Sequence, residues 1–303
     1  MTNEPQFLGI GAPRSGTTWL YERLSEHPDF KLPPLKELHY FDRDRGYLSP
    51  NTLCEDRVIR RFTNSSWRRA FIRTCGSIVL GRRSVSDGMW YLKFFFSKYD
   101  DQWYLSLFDH AAGICGEITP AYMLLNDTDV ERIYELTPNV KTVFFLRDPL
   151  TRAWSSYRKT FLRNGKALPD LSSIRSYLDS QSVSQRANYI ETLDRYQTYS
   201  QPERMLIGFF DAIEEQPLQT LQEVVSFLGG DISKVAESCF IDRVSNASPN
   251  LDMPDEIKTH LSTKYRSLIT ELSDRFGGYC TRWMNRYFST EIDCGIMRPT
   301  IVL

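Results

Sequence analysis

The chain has no C-x-x-C pair, only four histidines, and no apolar run near the roughly 20 residues that a membrane span needs. Its six cysteines (Cys54, Cys75, Cys115, Cys239, Cys280 and Cys294) are scattered, as are the histidines. Clustered ligands for a structural zinc or iron site are therefore missing, and no metal is required by the residues present. The start of the chain is polar and turns apolar only over Phe7–Gly11, far too short for a signal peptide. With no export signal, free thiols in a reducing interior and a cytoplasmic location are expected. A strong charge of one sign is missing too. Lys and Arg number 37 against 38 Asp and Glu, for a net charge of -1, so no global basic field marks a nucleic-acid partner. Internal repeats and low-complexity segments are also absent.

What is present is ample for a core. There are 303 residues, 41% of them hydrophobic, which suits one large α/β domain or two small ones. Aromatics reach 13%, leaving room for an aromatic-lined cleft. Phe7–Gly11 reads as a short strand, followed by a helix with Leu20 and Leu24 on one face that stops at His27-Pro28. The stretch from Asp42 to Asp87 is polar, irregular and rich in arginine. Ile114–Ile118 is a second strand, and Asn126 opens a helix with Val130, Ile133 and Tyr134 on a shared face. Val143–Leu146 is continuously apolar, as a parallel strand covered on both faces should be.

Pro149 begins a helix carrying Leu150, Trp154, Tyr157 and Phe161. "RMLIGFF" is another strand. Pro217 then starts a helix with Leu218, Leu221, Val224, Val225 and Leu228, which Gly229-Gly230 end. A last long helix begins near Pro254, with Ile257, Leu261, Tyr265, Leu268, Leu272 and Phe276 as its buried face and Gly277-Gly278 as its close. The alternation predicts one α/β domain over residues 1–303, a central parallel sheet flanked by helices, and a helical or irregular insert at about 42–110. Ligands of such sheets sit at the carboxyl ends of the strands. "GAPRSGTT" and "RDPLTRAWSSY" both fall at such turns.

In the first of them Gly11 and Gly16 have the spacing of a phosphate loop, but Thr17-Thr18 follow where a nucleotide triphosphatase places lysine. The glycines still let backbone N–H groups approach a phosphate, and the helix beginning near Thr17 points its positive end at it. Arg14 adds a fixed cation inside the loop. These features favour a phosphate ester whose reacting end lies near Arg14, without a magnesium-held triphosphate.

Pro13-Arg14-Ser15-Gly16-Thr17-Thr18-Trp19 closely resembles the 5′-phosphosulfate loop of sulfotransferases that use 3′-phosphoadenosine 5′-phosphosulfate (PAPS). Arg147-Asp148-Pro149 with Arg152, Ala153, Ser155 and Tyr157 resembles that family's 3′-phosphate motif. "KELHYF" (Lys36–Phe41), "GEITPAY" (Gly116–Tyr122) and "FFDAIEEQP" extend the likeness in the family's order. The resemblance implies a three-layer P-loop NTPase-like fold, PAPS as sulfuryl donor, and an acceptor hydroxyl on a carbohydrate, lipid or small metabolite.

By that resemblance Arg14, Ser15, Gly16, Thr17 and Thr18 hold the 5′-phosphosulfate, and Arg147 with Ser155 holds the 3′-phosphate. Many relatives have lysine at position 14. Arginine does not give up its proton, so its role is electrostatic. Arg152 is either part of this site or an ordinary exposed helix residue. Glu37 is the candidate general base and His39 its competitor; in an extended segment the two would face the same way. Glu117 either orients the base or acceptor or pairs with an arginine. Ile118 stands where glycan-sulfating relatives often have lysine, so that contact is missing or supplied from elsewhere. Phe210 and Trp19 are read either as adenine neighbours or as core, and Ser245 and Asn246 as residues closing over the nucleotide.

The insert's arginines (Arg57, Arg60, Arg61, Arg68, Arg69, Arg73, Arg82 and Arg83) either attract an anionic acceptor or headgroup or form a solvated face. The runs Trp90–Phe96 and Trp103–Phe108 either line an acceptor pocket or form buried helix faces. A small-molecule P-loop kinase is a second reading, with Asp148 as its one plausible magnesium ligand; a non-catalytic nucleotide-binding module is a third. Acceptor identity and oligomeric state are not encoded in readable form.

Overall fold

The computed structural model describes residues 4–50, 52–55, 57–80, 87–109, 113–161, 170–235 and 251–303. Arg82, Arg83, Ser245 and Asn246 lie outside the described residues. Strand β1 (Phe7–Gly11) runs into α1 (Thr17–Glu26), and the short β2 (Phe30–Lys31) follows. Next come α2 (Val58–Arg61), α3 (Ser65–Val79), α4 (Gly88–Phe96) and α5 (Asp101–Ser106). β3 (Ile114–Ile118) leads to α6 (Asp127–Leu136), and β4 (Lys141–Leu146) to α7 (Pro149–Phe161). After α8 (Leu171–Asp179), α9 (Gln181–Gln185) and α10 (Tyr189–Tyr199), the chain enters β5 (Met205–Phe209), α11 (Phe210–Glu215) and α12 (Pro217–Leu228). It ends with α13 (Asp255–Phe276), α14 (Gly278–Phe288) and β6 (Thr300–Val302).

The six strands form one sheet in the order β2-β3-β1-β4-β5-β6. The first five are parallel; β6 pairs antiparallel with β5, Ile207 opposite Ile301. Strand side chains alternate between two apolar layers, as their period of two requires. Phe7, Val143, Phe145 and Leu206 pack with Leu20 and Leu24 of α1 and Leu221, Val224 and Val225 of α12. Leu8, Ile10, Phe144, Leu146 and Ile207 face the other way, toward α7, α10, α13 and α14. Fully burying one such Leu or Phe contributes roughly 1.5–3 kcal/mol. Among the described residues, no helix is long and apolar enough to cross a membrane.

Local chemistry sets the helix starts that matter for the site. Asn126 caps α6 by accepting from the Asp129 N–H at 2.8 Å. Asp148 does the same for α7, accepting from the Leu150 N–H at 2.9 Å beside Pro149 at the first turn. Four features depart from the sequence reading. The stretch read as irregular holds the 15-residue helix α3. Gly277-Gly278 do close α13 at Phe276, but a helix not read in the sequence follows: Gly277, at φ 61°, turns the chain and α14 begins at Gly278. The buried face of α13 uses Ile269, while Leu268 and Phe276 are half-buried. The sheet also gains two short edge strands, and β6 breaks its parallel run.

Candidate active site

Because β1 and β4 are neighbours, the turns at their carboxyl ends meet. Gly16 caps α1 at φ 88°, a backbone angle that favours glycine, and a Cβ there would also push the end of the Ile213 side chain aside. No side chain caps α1 and no acidic residue sits in its first turn, which leaves its first N–H groups available to an anion. The Ser15 hydroxyl is buried and has no hydrogen-bond partner among the described residues.

Arg14, itself at φ 73°, donates from Nε to the Ser155 hydroxyl at 3.0 Å. Arg147 donates from Nη1 to the Arg14 carbonyl at 2.8 Å and from Nε to the Thr151 hydroxyl at 3.3 Å. Its guanidinium lies 3.9 Å from the Phe210 ring centroid, a cation–π stack that fixes its plane. Burial holds the Arg14 pKa below its ordinary value, and the charge of Arg158 pushes the same way. Burial likewise lowers Arg147; Glu214 opposes this and Arg14 adds to it. Like charges have been gathered in a partly buried place, which is what an anion site requires. Arg158, one turn past Ser155 on α7, went unnoticed in the sequence, although its i+3 spacing from Ser155 could have flagged it.

The second half of the site is the segment Lys36–Phe41. It is not extended: Glu37 (φ 67°) and His39 (φ 58°) both adopt the left-handed region, which costs non-glycine residues of order 1–3 kcal/mol each. Hydrogen bonds from the end of β3 hold it there. The Leu38 N–H donates to the Thr119 hydroxyl (3.0 Å) and Glu117 Oε2 (3.3 Å), and the Tyr40 N–H donates to the Tyr122 hydroxyl (3.0 Å). Glu117 is buried and also accepts from the hydroxyls of Tyr104 (2.7 Å), Tyr122 (2.9 Å) and Thr119 (2.7 Å). Burial raises its pKa against these donors. None of these partners is an arginine; Glu117 organises the backbone between Glu37 and His39.

The side chains of this segment form a chain of alternating charge. Lys36 Nζ lies 2.9 Å from Glu37 Oε1 and donates to the Thr18 hydroxyl at 3.3 Å, which ties the segment to the phosphate loop. Glu37 Oε2 lies 3.5 Å from His39 Nε2, and His39 Nδ1 lies 2.7 Å from Asp42 Oδ2. Glu37 is 39% exposed, whereas Asp42 is fully buried. Burial pushes Glu37 up, but the His39 hydrogen bond and the Lys36 charge outweigh it and hold the carboxyl at about 2. Burial pushes His39 down, and the hydrogen bonds to Asp42 and Glu37 overcome that, raising it to about 10. Asp42 was missed as a site residue. Its signal was the i+3 spacing from His39, weak when the segment is taken as extended.

The other sequence-flagged residues divide clearly. Arg152 is fully buried and donates to the Val183 carbonyl at 2.8 Å, so it is not an exposed helix residue. Asp148 is engaged by the α7 N–H groups, by Arg286 at 3.2 Å and by the Tyr287 hydroxyl, and so is unsuited to a magnesium ion. No group of three metal-ligating side chains occurs among the described residues. Trp19 is half-buried against the α1–α12 apolar layer. Ile118 is buried core. Trp90, Phe94, Phe95, Trp103 and Tyr104 are buried core as well. Arg61 is also internal, donating to the Phe95 carbonyl at 2.9 Å with its guanidinium over the Tyr99 ring.

Comparison with known proteins agrees with this geometry. A profile described as "Sulfotransferase family" matches residues 5–234. Carbohydrate sulfotransferase 15 of Homo sapiens is 27% identical over 170 residues, covering 50% of this chain and 27% of that protein. Heparan sulfate glucosamine 3-O-sulfotransferase 5 of Mus musculus is 25% identical over 235 residues, covering 74% of this chain and 53% of that protein. The chain thus spans between about a quarter and a half of the length of these curated relatives. The crystal structure of a sulfotransferase from Alicyclobacillus acidocaldarius superposes with a TM-score of 0.61 at 21% identity, over 93% of this chain and 99% of that one. The shared fold is the three-layer, P-loop NTPase-like α/β arrangement.

Proposed function

The chain belongs to the sulfotransferase family, and on that premise we propose that it moves a sulfuryl group from PAPS to an acceptor hydroxyl. One observation carries the reading: Lys36 joins the Thr18 hydroxyl to the Glu37 carboxylate, so the candidate base stands beside the phosphate loop. The orphaned Ser15 hydroxyl, the uncapped α1 N-terminus and the crowded Arg14 and Arg147 suit a phosphorylated donor.

In this reading the α1 N-terminus with Ser15, Thr17 and Thr18 holds the 5′-phosphosulfate, and Arg147 with Ser155 holds the 3′-phosphate. Phe210 fixes Arg147, and with Trp19 it borders the adenine side. PAPS supplies the sulfuryl group and a bisphosphate leaving group. Glu37 accepts the acceptor hydroxyl's proton as that oxygen bonds to sulfur. The S–O bond to the 5′-phosphate breaks, and Arg14 and Lys36 face the charge left on the bridging oxygen. Lys36 thereby provides the cation that Ile118 does not. His39, with both ring nitrogens engaged by carboxylates and a pKa near 10, is an imidazolium at neutral pH and has no lone pair for a proton. It positions Glu37 and is not the base.

Carbohydrate hydroxyls are the first acceptor class to test, because the curated relatives are named for carbohydrate and heparan sulfate glucosamine. The experiment is transfer of label from sulfur-labelled PAPS to a panel of glycans, lipids and phenols. Incorporation into one class, abolished by Glu37→Gln, is expected. Absence of transfer to every class, together with no binding of adenosine 3′,5′-bisphosphate, ends the reading.

A further inference from the structure

Residues 57–86 contain eight arginines and no acidic residue, in a chain whose net charge is -1. The stretch from Ile59 to Leu92 also exposes many large apolar side chains among the described residues. Of the thirteen exposed large hydrophobics among the described residues, seven lie between Ile59 and Leu92. Helix α3 has two apolar faces. Trp67 and Phe71 turn inward and pack on Phe95 and Phe96 of α4. Ile72, Val79 and Leu80 turn outward, with Val79 84% exposed.

Val79 and Leu80 at the far end of α3, and Met89 (77% exposed) and Leu92 at the start of α4, are all uncovered; these two helix ends are called the α3–α4 tip here. Arg68, Arg69 and Arg73 are exposed on the flanks of the outward face of α3. Exposed apolar side chains in this number call for an apolar cover, and arginines in a stretch without acidic residues call for an anionic one. An acidic glycan answers the arginines and leaves the apolar tip in water. A bilayer bearing anionic lipid answers both, with the tip in the acyl boundary and the guanidinium groups at headgroup level.

We propose that the α3–α4 tip docks the protein on an anionic membrane surface through Ile72, Val79, Leu80, Met89 and Leu92 with Arg68, Arg69 and Arg73. This uses none of the donor or base residues and stands whether or not the sulfuryl-transfer reading does.

Vesicle flotation of the full chain tests it, with phosphatidylcholine alone or mixed with phosphatidylglycerol. The protein should float with the mixed vesicles, not with the neutral ones, and less at high salt. The variants Val79→Asp/Met89→Asp and Arg68→Glu/Arg69→Glu/Arg73→Glu should each weaken flotation at least about tenfold. Because the altered side chains are exposed, Tm should stay close to that of the parent. Failure to float with mixed vesicles overturns the proposal. So does an apolar-tip variant that floats like the parent, which would mark a purely electrostatic surface for an acidic polymer such as heparin. So does a concentration-dependent dimer that the tip substitutions dissolve.

Discussion

The two halves of the site handle charge in opposite ways. On the donor side, Arg14 and Arg147 are brought together with Arg158 nearby, and their hydrogen bonds run to hydroxyls and a carbonyl. On the base side, Lys36, Glu37, His39 and Asp42 alternate in sign and neutralise one another in a row. The first arrangement gathers like charges, which suits an anionic substrate. The second is complete as it stands, and holds a carboxylate in place for a neutral hydroxyl. A site with this division suits a reaction in which one substrate is highly charged and the other surrenders only a proton.

The largest way to break that contrast is to remove the base while keeping its shape. Glu37→Gln should lower kcat by about 10²–10⁴-fold and leave the affinity for adenosine 3′,5′-bisphosphate unchanged. Steady-state rates alongside calorimetry would show it; unchanged turnover would contradict it. Arg14→Ala should cost about 10²–10³-fold in turnover, because it removes a donor facing the charge that develops. Arg147→Ala should act mainly on binding, weakening the bisphosphate by about 10–100-fold, as loss of a hydrogen bond to a charged group implies.

Asp42→Asn is the subtler change. It should lower the His39 pKa and reduce kcat by about tenfold, with rescue by Asp42→Glu if the role is positional. The pH dependence follows from the same chain. His39 is raised from 6.5 to about 10, so its stabilising share is full below pH 6.5 and is lost as pH rises through about 10. Glu37 is lowered from 4.5 to about 2, so its share is full above pH 4.5 and is lost as pH falls through about 2. An NMR titration should find the His39 ring changing near pH 10; a midpoint near 6.5 would show that the chain is broken.

The turns after β1 and β4, proposed to hold the donor, stood out in the sequence as strings, and the segment proposed to supply the base did so only partly, for a physical reason. A phosphate loop binds through contiguous backbone after a strand, so Gly11 to Trp19 and Arg147 to Ser155 announce themselves as strings with their glycines and helix starts. The base half depends on two left-handed residues, Glu37 and His39, and on long-range hydrogen bonds to Glu117, Thr119 and Tyr122. No local pattern encodes those partners, so the segment read as extended and Asp42 passed unnoticed. The central strands were legible because both their faces are buried. The edge strands β2 and β6 are two and three residues long, too short for any periodicity. Gly277-Gly278 read as a stop and do end α13, but glycine also turns corners between helices, and α14 directly after them went unread.

The proposed function assigns the cationic cluster of Arg14 and Arg147 to a bisphosphorylated nucleotide. Calorimetric titration with adenosine 3′,5′-bisphosphate in the presence of a chelator tests it most directly. Tight binding without magnesium is predicted, kept in Glu37→Gln and lost in Arg147→Ala. Binding of ATP with magnesium, with none of the bisphosphate, would contradict it.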